Sequence, residues 1–278
     1  MPELPEVETT RRGIEDAVVG REISDWVVRD ARLRWPVELP EHLRGRRMER
    51  IDRRGKYLLL RCEGAGLIVH LGMSGSLRVV PADTPPRKHD HIDLVLDDDS
   101  ALRLHDPRRF GSVHYLDEPL ERHFLLANLG VEPLGEAFDG AHLKALARGK
   151  RVAVKNFIMN SAVVVGVGNI YANEALFLAG IRPTVPAGSL SLPAYTALAA
   201  SIRQVLLAAI QMGGTTLRDY VGSAGDRGYF KQSLNVYGRE GEQCTLCDSA
   251  LTDLRLGQRA TVYCPKCQPP RGFNRTRC

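Results

Sequence analysis

Removal of Met1 from the opening MPELPEVE would leave Pro2 as the amino terminus, with Glu3 and Glu6 beside it. An α-amino group titrates near pH 8 and a lysine near pH 10.4, so near neutrality the terminal amine holds roughly several hundred times more of its uncharged, attacking form. A terminal proline is also a secondary amine. Condensed with a sugar aldehyde carbon it gives an iminium, a permanent cation and an electron sink. A second reading of the same residues is structural: Pro2 and Pro5 suit the first turn of a helix, and the glutamates suit the positive end of its dipole.

Six cysteines stand at positions 62, 244, 247, 264, 267 and 278. The middle four read C-x2-C, sixteen residues, C-x2-C, inside the zinc-ribbon spacing range, where two tight turns present four thiolates to one Zn2+. Such a site has no open position for water, so the metal Cys244, Cys247, Cys264 and Cys267 would hold is structural. Two disulfides are the alternative, which the lack of any export signal disfavours. Cys62 lies in an apolar run and is expected in a core, and Cys278 is a terminal thiol.

These groups need scaffolds to hold them. The chain of 278 residues, 44% hydrophobic and 26% charged, is long enough for two domains plus a small module. No apolar run approaches the roughly 18 residues of a membrane helix, and the acidic start lacks a signal peptide's basic and apolar regions. A cytoplasmic protein is expected. The net charge of +5 is modest, but arginines cluster in 44–54, at Arg108 with Arg109, and in 271–277, which makes a polyanion partner plausible.

Val7, Ile14 and Val18 recur at helical spacing and Gly20 follows, predicting an opening amphipathic helix. YLLLRC, GLIVHLGMSGSLRVV, HIDLVLDDDSALRLHD and GSVHYLD are short, apolar and broken by glycine or by DDDS, which is the pattern of a β-sandwich. Between Gly130 and Lys150 the pattern turns helical. A longer helix follows with Tyr195, Leu198, Ile202, Val205, Ala209 and Ile210 on one face, capped by Ser191 and stopped by Gly213 and Gly214. The predicted class is α+β and multidomain: an N-terminal β-sandwich with an N-terminal helix (1–130), a helical domain (131–226), a zinc ribbon (235–269) and a tail (270–278).

PELPEVE, RRGKYLLL, HLGMSG, KHDH, DPRRFG, VGVGNIYANEALFLAGIRP, GGTTLRDY, GYF, VYGREGEQC and QRATVYCPKCQ occur in that order. In this the chain resembles the formamidopyrimidine-DNA glycosylases, bacterial base-excision enzymes that remove 8-oxoguanine and ring-opened purines. The resemblance spans everything but the closing PPRGFNRTRC. It implies a bifunctional glycosylase and AP lyase acting on double-stranded DNA in the bacterial cytoplasm at the nucleoid; a monomer is the default expectation. It makes Pro2 the nucleophile toward C1′, Glu3 the carboxyl that handles protons at the opening sugar, Lys56 a partner of the reacting nucleotide in β-elimination, and Arg259 a phosphate ligand in δ-elimination.

Such chemistry requires the nucleotide to leave the duplex and the hole to be filled. Met73, Arg108 and Phe110 match the filling residues: a wedge, a guanidinium for the estranged cytosine and a stacking ring. His70, His89, Lys150, Lys155 and Asn169 are the expected phosphate contacts, Asn169 at a glycine-rich turn resembling the family's helix-two-turn-helix motif. By the same analogy Glu6 touches the base pocket, and the glycine-rich segment 213–230 forms a loop that closes over the flipped base. Two positions depart from the family pattern: MNSA (159–162) stands where an acidic stretch is common, and Arg78 where some relatives have glutamate. An endonuclease VIII-like enzyme for oxidised pyrimidines and a non-catalytic damage-binding protein are the alternatives.

Overall fold

The computed structural model describes residues 2–117, 119–214 and 233–270. They fall into two compact units, 2–128 with 210–214, and 129–209 with 233–270. In the first, α1 (Leu4–Val18) precedes eight strands: β1 (Ile23–Val28), β2 (Met48–Arg54), β3 (Tyr57–Cys62), β4 (Ala65–His70), β5 (Ser76–Pro81), β6 (Asp90–Leu96), β7 (Ser100–His105) and β8 (Ser112–Leu116). A short α2 (Phe124–Ala127) follows. The strands make two antiparallel four-stranded sheets, β1-β6-β7-β5 and β2-β3-β4-β8.

Alternation along the strands builds the sandwich. Leu58, Leu60, Leu67 and Val69 from one sheet meet Leu77, Ile92, Leu94, Leu102 and Leu104 from the other in a continuous core, onto which α1 lays Val7, Ile14 and Val18. Each such side chain contributes about 1.5–3 kcal/mol of burial, and truncating the fully buried Leu60 to alanine would cost about 2–5 kcal/mol. Gly20, at φ +86°, ends the approach of α1, and the DDDS turn between β6 and β7 closes with Asp98 Oδ1 accepting from the Ser100 N–H. Cys62 is a core thiol whose pKa burial pushes up to about 11.

The strands β1 and β2 did not stand out in the sequence, and their geometry shows why. Bulges at Ile23/Asp25 and Met48/Arg50 break the period of two, so the inward Ile23, Met48 and Ile51 are spaced irregularly among charged residues.

The second unit contains α3 (Gly140–Ala147), α4 (Val154–Ile158), α5 (Asn169–Leu178), most of α6 (Leu192–Gln211) and the hairpin β9 (Thr252–Leu256) with β10 (Arg259–Tyr263). The helix predicted for 130–150 is confined to α3, whose first turn Asp139 caps by accepting the His142 N–H at 2.7 Å. On α6, Ser191 Oγ accepts the Ala194 N–H, and Gly213 and Gly214 follow at φ +73° and +81°. Contrary to the expectation that nothing approaches a membrane span, α6 has the length and mean hydropathy (1.3) to cross one. Its predicted stripe is instead buried within the protein, and Arg203 on the same helix donates to the carbonyls of Pro133 and Gly135. The ribbon shares its core with α5, since Phe177 and Leu178 pack on Val236, Leu251, Val262 and the cysteines.

Candidate functional site

At the start of the chain the structural and chemical readings fall on the same atoms. Pro2 is buried and leads into Glu3, the N-cap of α1, with extended backbone (φ −104°, ψ −170°). The Glu3 N–H donates to Glu6 Oε2 at 2.8 Å while the Glu3 carboxylate accepts the Glu6 N–H, a reciprocal capping box that holds both buried carboxylates still. Pro5 occupies the second helical position, where it forfeits no hydrogen bond. Gly214 comes close behind: a Cβ there would sit 3.0 Å from Glu6 Oε1, so a side chain at this left-handed position would strain the backbone and push the Glu6 carboxylate.

A cationic cluster lies at the end of β3 and β4. Lys56 follows the left-handed Gly55 (φ +57°) in the β2–β3 turn, and the neighbouring Tyr57 is the cross-strand partner of His70, their rings 4.9 Å apart. His70 Nδ1 accepts the Gly72 N–H at 3.0 Å, which puts the imidazole proton on Nε2. Burial, then the charges of Lys56 and Arg34, pull its pKa down to about 4, so at neutral pH it is an uncharged Nε2–H donor.

Met73, Arg108 and Phe110 stand on two loops that touch backbone to backbone. A Cβ on Gly72 (φ +63°) would lie 2.4 Å from the Gly111 nitrogen, so only glycine lets the loops meet. The Arg108 guanidinium lies 5.3 Å above the Phe110 ring, which is 45% exposed, while Met73 is half-buried. Arg109, at φ +56°, is drawn aside into a 2.6 Å pair with Asp30. His89 (φ +76°) stands within 6.2 Å of the His91 and His105 rings; loss of water, then the charges of Lys88, both imidazoles and Arg109, hold its pKa below the usual histidine value. Pro2, Glu3, Lys56, His70, Met73, His89, Arg108 and Phe110 thus all belong to the sandwich unit.

Arg259, Lys150, Lys155 and Asn169 belong to the other unit. Arg259 is exposed where β10 begins, after a tight turn with Gly257 at φ +54° and Gln258 at +63°. Asn169, the first residue of α5, donates through Nδ2 to the Ala260 carbonyl at 3.1 Å, and its Oδ1 is buried without a hydrogen-bond partner. Lys150 is exposed beyond α3.

Lys155 requires a correction. Expected at a phosphate, it is fully buried, and its Nζ donates to Ala260 O at 2.8 Å and Thr261 Oγ1 at 2.6 Å. An ammonium enclosed in this way props the strand that carries Arg259 and has no surface to offer a phosphate.

The sulfurs of Cys244, Cys247, Cys264 and Cys267 lie within 4.8 Å of one another, with Cys244–Cys267 at 3.9 Å and Cys247–Cys264 at 3.5 Å. Tetrahedral zinc with bonds of about 2.3 Å separates its sulfurs by about 3.8 Å, so the set fits one Zn2+. Backbone N–H groups of Leu246 and Cys267 point at Cys244 Sγ and Cys264 Sγ, and Gln268 ties the second knuckle to the Ile181 carbonyl at 2.8 Å.

Three family profiles cover the chain: Formamidopyrimidine-DNA glycosylase N-terminal domain on residues 1–113, Formamidopyrimidine-DNA glycosylase H2TH domain on 129–221, and Zinc finger found in FPG and IleRS on 241–270. The formamidopyrimidine-DNA glycosylase of Methylococcus capsulatus is 61% identical over 270 residues, 96% of this chain and 100% of its own. The chain belongs to the formamidopyrimidine-DNA glycosylase family. Two solved structures of the Lactococcus lactis family member align at 34% identity over 96% of this chain. One is bound to abasic-site DNA (TM-score 0.88, 99% of that chain), the other to N7-benzyl-Fapy-dG DNA (TM-score 0.89, 100% of that chain).

Two features of this formamidopyrimidine-DNA glycosylase family member escaped the sequence. Glu174 on α5 is buried, and its carboxylate accepts the N–H groups of Asn235, Val236 and Tyr237 at 2.9 Å, plus Asn235 Nδ2 at 3.1 Å. Its place in YANEALFL gives no hint of a partner some sixty positions on. Arg78 on β5, the departure noted above, keeps Nε buried without a hydrogen-bond partner and Nη2 4.0 Å from Asp90. In MNSA, Asn160 turns the chain by accepting the Ala162 N–H at 3.0 Å. Of the segment 213–230 expected to close over the flipped base, residues 215–230 lie outside the described residues, as do 271–278 of the tail expected at 270–278.

Proposed function

We propose that this protein is a bifunctional DNA glycosylase and AP lyase that excises oxidised purines, 8-oxoguanine and formamidopyrimidines, from double-stranded DNA in base-excision repair, acting as a monomer in the bacterial cytoplasm at the nucleoid. The observation that carries the reading is that Pro2, buried, directly precedes Glu3, whose carboxylate is locked with that of Glu6 in one capping box, in a chain of this family. With Met1 removed, the Pro2 lone pair attacks C1′ of the extruded nucleotide and the bond to the base breaks, its electrons leaving with the base. The Pro2 nitrogen sheds its proton to the Glu3 carboxylate, which passes it to O4′ as the C1′–O4′ bond opens, so the nitrogen is left as an iminium, while the departing base takes a proton from water. Loss of a C2′ proton then expels the 3′-phosphate, and a second elimination expels the 5′-phosphate, leaving both ends phosphorylated. Lys56 and Arg259 meet those phosphates, with Lys150, Asn169, His89 and the Nε2–H of His70 as further contacts. Bound zinc supplies rigidity, since four thiolates complete its coordination.

Borohydride trapping on duplex 8-oxoguanine DNA tests this. The processed protein should cross-link, Pro2→Gly should trap at least tenfold less, about the contribution of an activated nucleophile or more, and a form retaining Met1 should not trap. Equal trapping by the Met1-retaining form would remove Pro2 from the mechanism, and preferential cutting at thymine glycol would redirect the substrate assignment to oxidised pyrimidines.

A further inference from the structure

A single buried carboxylate ties together the two loops that carry Met73, Arg108 and Phe110. Asp106 lies just beyond the end of β7 and is 0% exposed. Its Oδ1 accepts from Ser74 Oγ at 3.1 Å and from the Arg108 N–H at 3.3 Å, and its Oδ2 accepts from the Gly111 N–H at 2.8 Å. Ser74 is next to Met73, Gly111 is next to Phe110 and Arg108 is anchored through its own N–H, so each side chain on the platform is within one residue of an anchor. The backbone of Asp106 extends the junction to a third loop: its N–H donates to the His89 carbonyl at 3.0 Å and its carbonyl accepts from His91 Nε2 at 2.8 Å.

We propose that Asp106 is the positioning residue that holds Met73, Arg108 and Phe110 in register as one rigid plug, so that the three enter the duplex together when the lesion leaves it. The proposal rests on the function given above. Its physical basis is that a buried carboxylate left short of donors is costly, so the N–H and O–H groups around it stay fixed. The two loops also pack backbone to backbone where Gly72 meets Gly111. Asp106 itself is enclosed and acts only through what it holds.

The test uses the processed, zinc-loaded protein on two substrates: duplex DNA with 8-oxoguanine opposite cytosine, flanked by 2-aminopurine, and single-stranded abasic DNA, which has no hole to fill. Asp106→Asn keeps the volume but must turn its amide NH2 either toward the Gly111 N–H or toward the Arg108 N–H, so one anchor is lost in either orientation. Excision from the duplex should fall about thirtyfold and the 2-aminopurine rise should disappear, as expected for losing hydrogen bonds to a charged group. Borohydride trapping on the single strand should stay within about twofold, because the sugar chemistry is untouched. Ser74→Ala, which frees only the Met73 loop, should cost the duplex reaction about threefold, the effect of one ordinary hydrogen bond. Wild-type duplex excision by Asp106→Asn, or equal loss on both substrates, overturns the proposal. Should Asp106→Asn not fold, Ser74→Ala decides, and an unchanged duplex rate with an unchanged 2-aminopurine signal overturns it. A wild-type protein inactive on both substrates would instead overturn the proposed function.

Discussion

Both units present an arginine on a tight turn, yet they hold it by different means. In the sandwich, Arg108 rides on a loop fastened by hydrogen bonds and by the close approach of two glycines, above a core that spans both sheets. In the ribbon, Arg259 stands on a five-residue strand whose support is four sulfurs, one enclosed ammonium and an asparagine amide. Each unit uses one buried charged group, Asp106 under the loop and Lys155 under the hairpin, but the hairpin, with few apolar side chains, needs a metal as well.

Zinc removal should break this comparison most widely. Structural zinc in small modules is worth about 10–16 kcal/mol, so chelation should unfold the ribbon and reduce strand cutting about a hundredfold or more. Both tryptophans, Trp26 and Trp35, lie in the sandwich, so their fluorescence should not change. A fluorescence shift on chelation would show that the sandwich depends on the metal too.

Lys155→Met comes next. Removing the ammonium from Ala260 O and Thr261 Oγ1 should destabilise the second unit by about 2–4 kcal/mol in calorimetry, with the salt dependence of DNA binding unchanged. A salt slope smaller by about 0.9 at unaltered stability would return Lys155 to the phosphate backbone.

On the sandwich side, Phe110→Ala removes an exposed ring and should leave stability within about 0.5 kcal/mol. Excision from duplex DNA should nevertheless fall about tenfold, consistent with the roughly 1–3 kcal/mol of a base stacked on an aromatic ring. A stability loss without an activity loss would make Phe110 a packing residue.

The sandwich also responds to pH. Because folding lowers the His70 pKa from 6.5 to about 4, only the unfolded chain binds this proton between those values. Stability should therefore be full above pH 6.5 and decline as pH falls toward 4, by roughly 2–3 kcal/mol in all. His70→Gln should flatten that part of the calorimetric pH profile; an unchanged profile would show that His70 titrates normally.

Wherever one short segment carries its own pattern, the sequence already displays it. The heptad-like Val7, Ile14 and Val18, the paired C-x2-C and the short apolar strands of 57–116 are of this kind, and so is the helix start marked by Pro5 and the glutamates, though the capping box that locks Glu3 to Glu6 shows only in the structure. Interactions between distant segments are silent. Glu174 meets its donors across a long stretch of chain, Asp106 meets Ser74 only because β5 and β7 are neighbours, and the burial of Lys155 depends on a hairpin a hundred positions away. A lysine in a basic context reads as surface until the element that covers it is known.

The burial of the ribbon's sulfurs has a consequence for a repair enzyme at work under oxidative stress. Cys244, Cys264 and Cys267 are buried, whereas Cys247 keeps partial access to solvent. Peroxide, the kind of species that creates damaged guanine, therefore meets the Cys247 thiolate first, and sulfenic acid there would loosen the metal. Because Phe177 of α5 packs in the same cluster, the helix that begins at Asn169 would lose part of its footing in the same event.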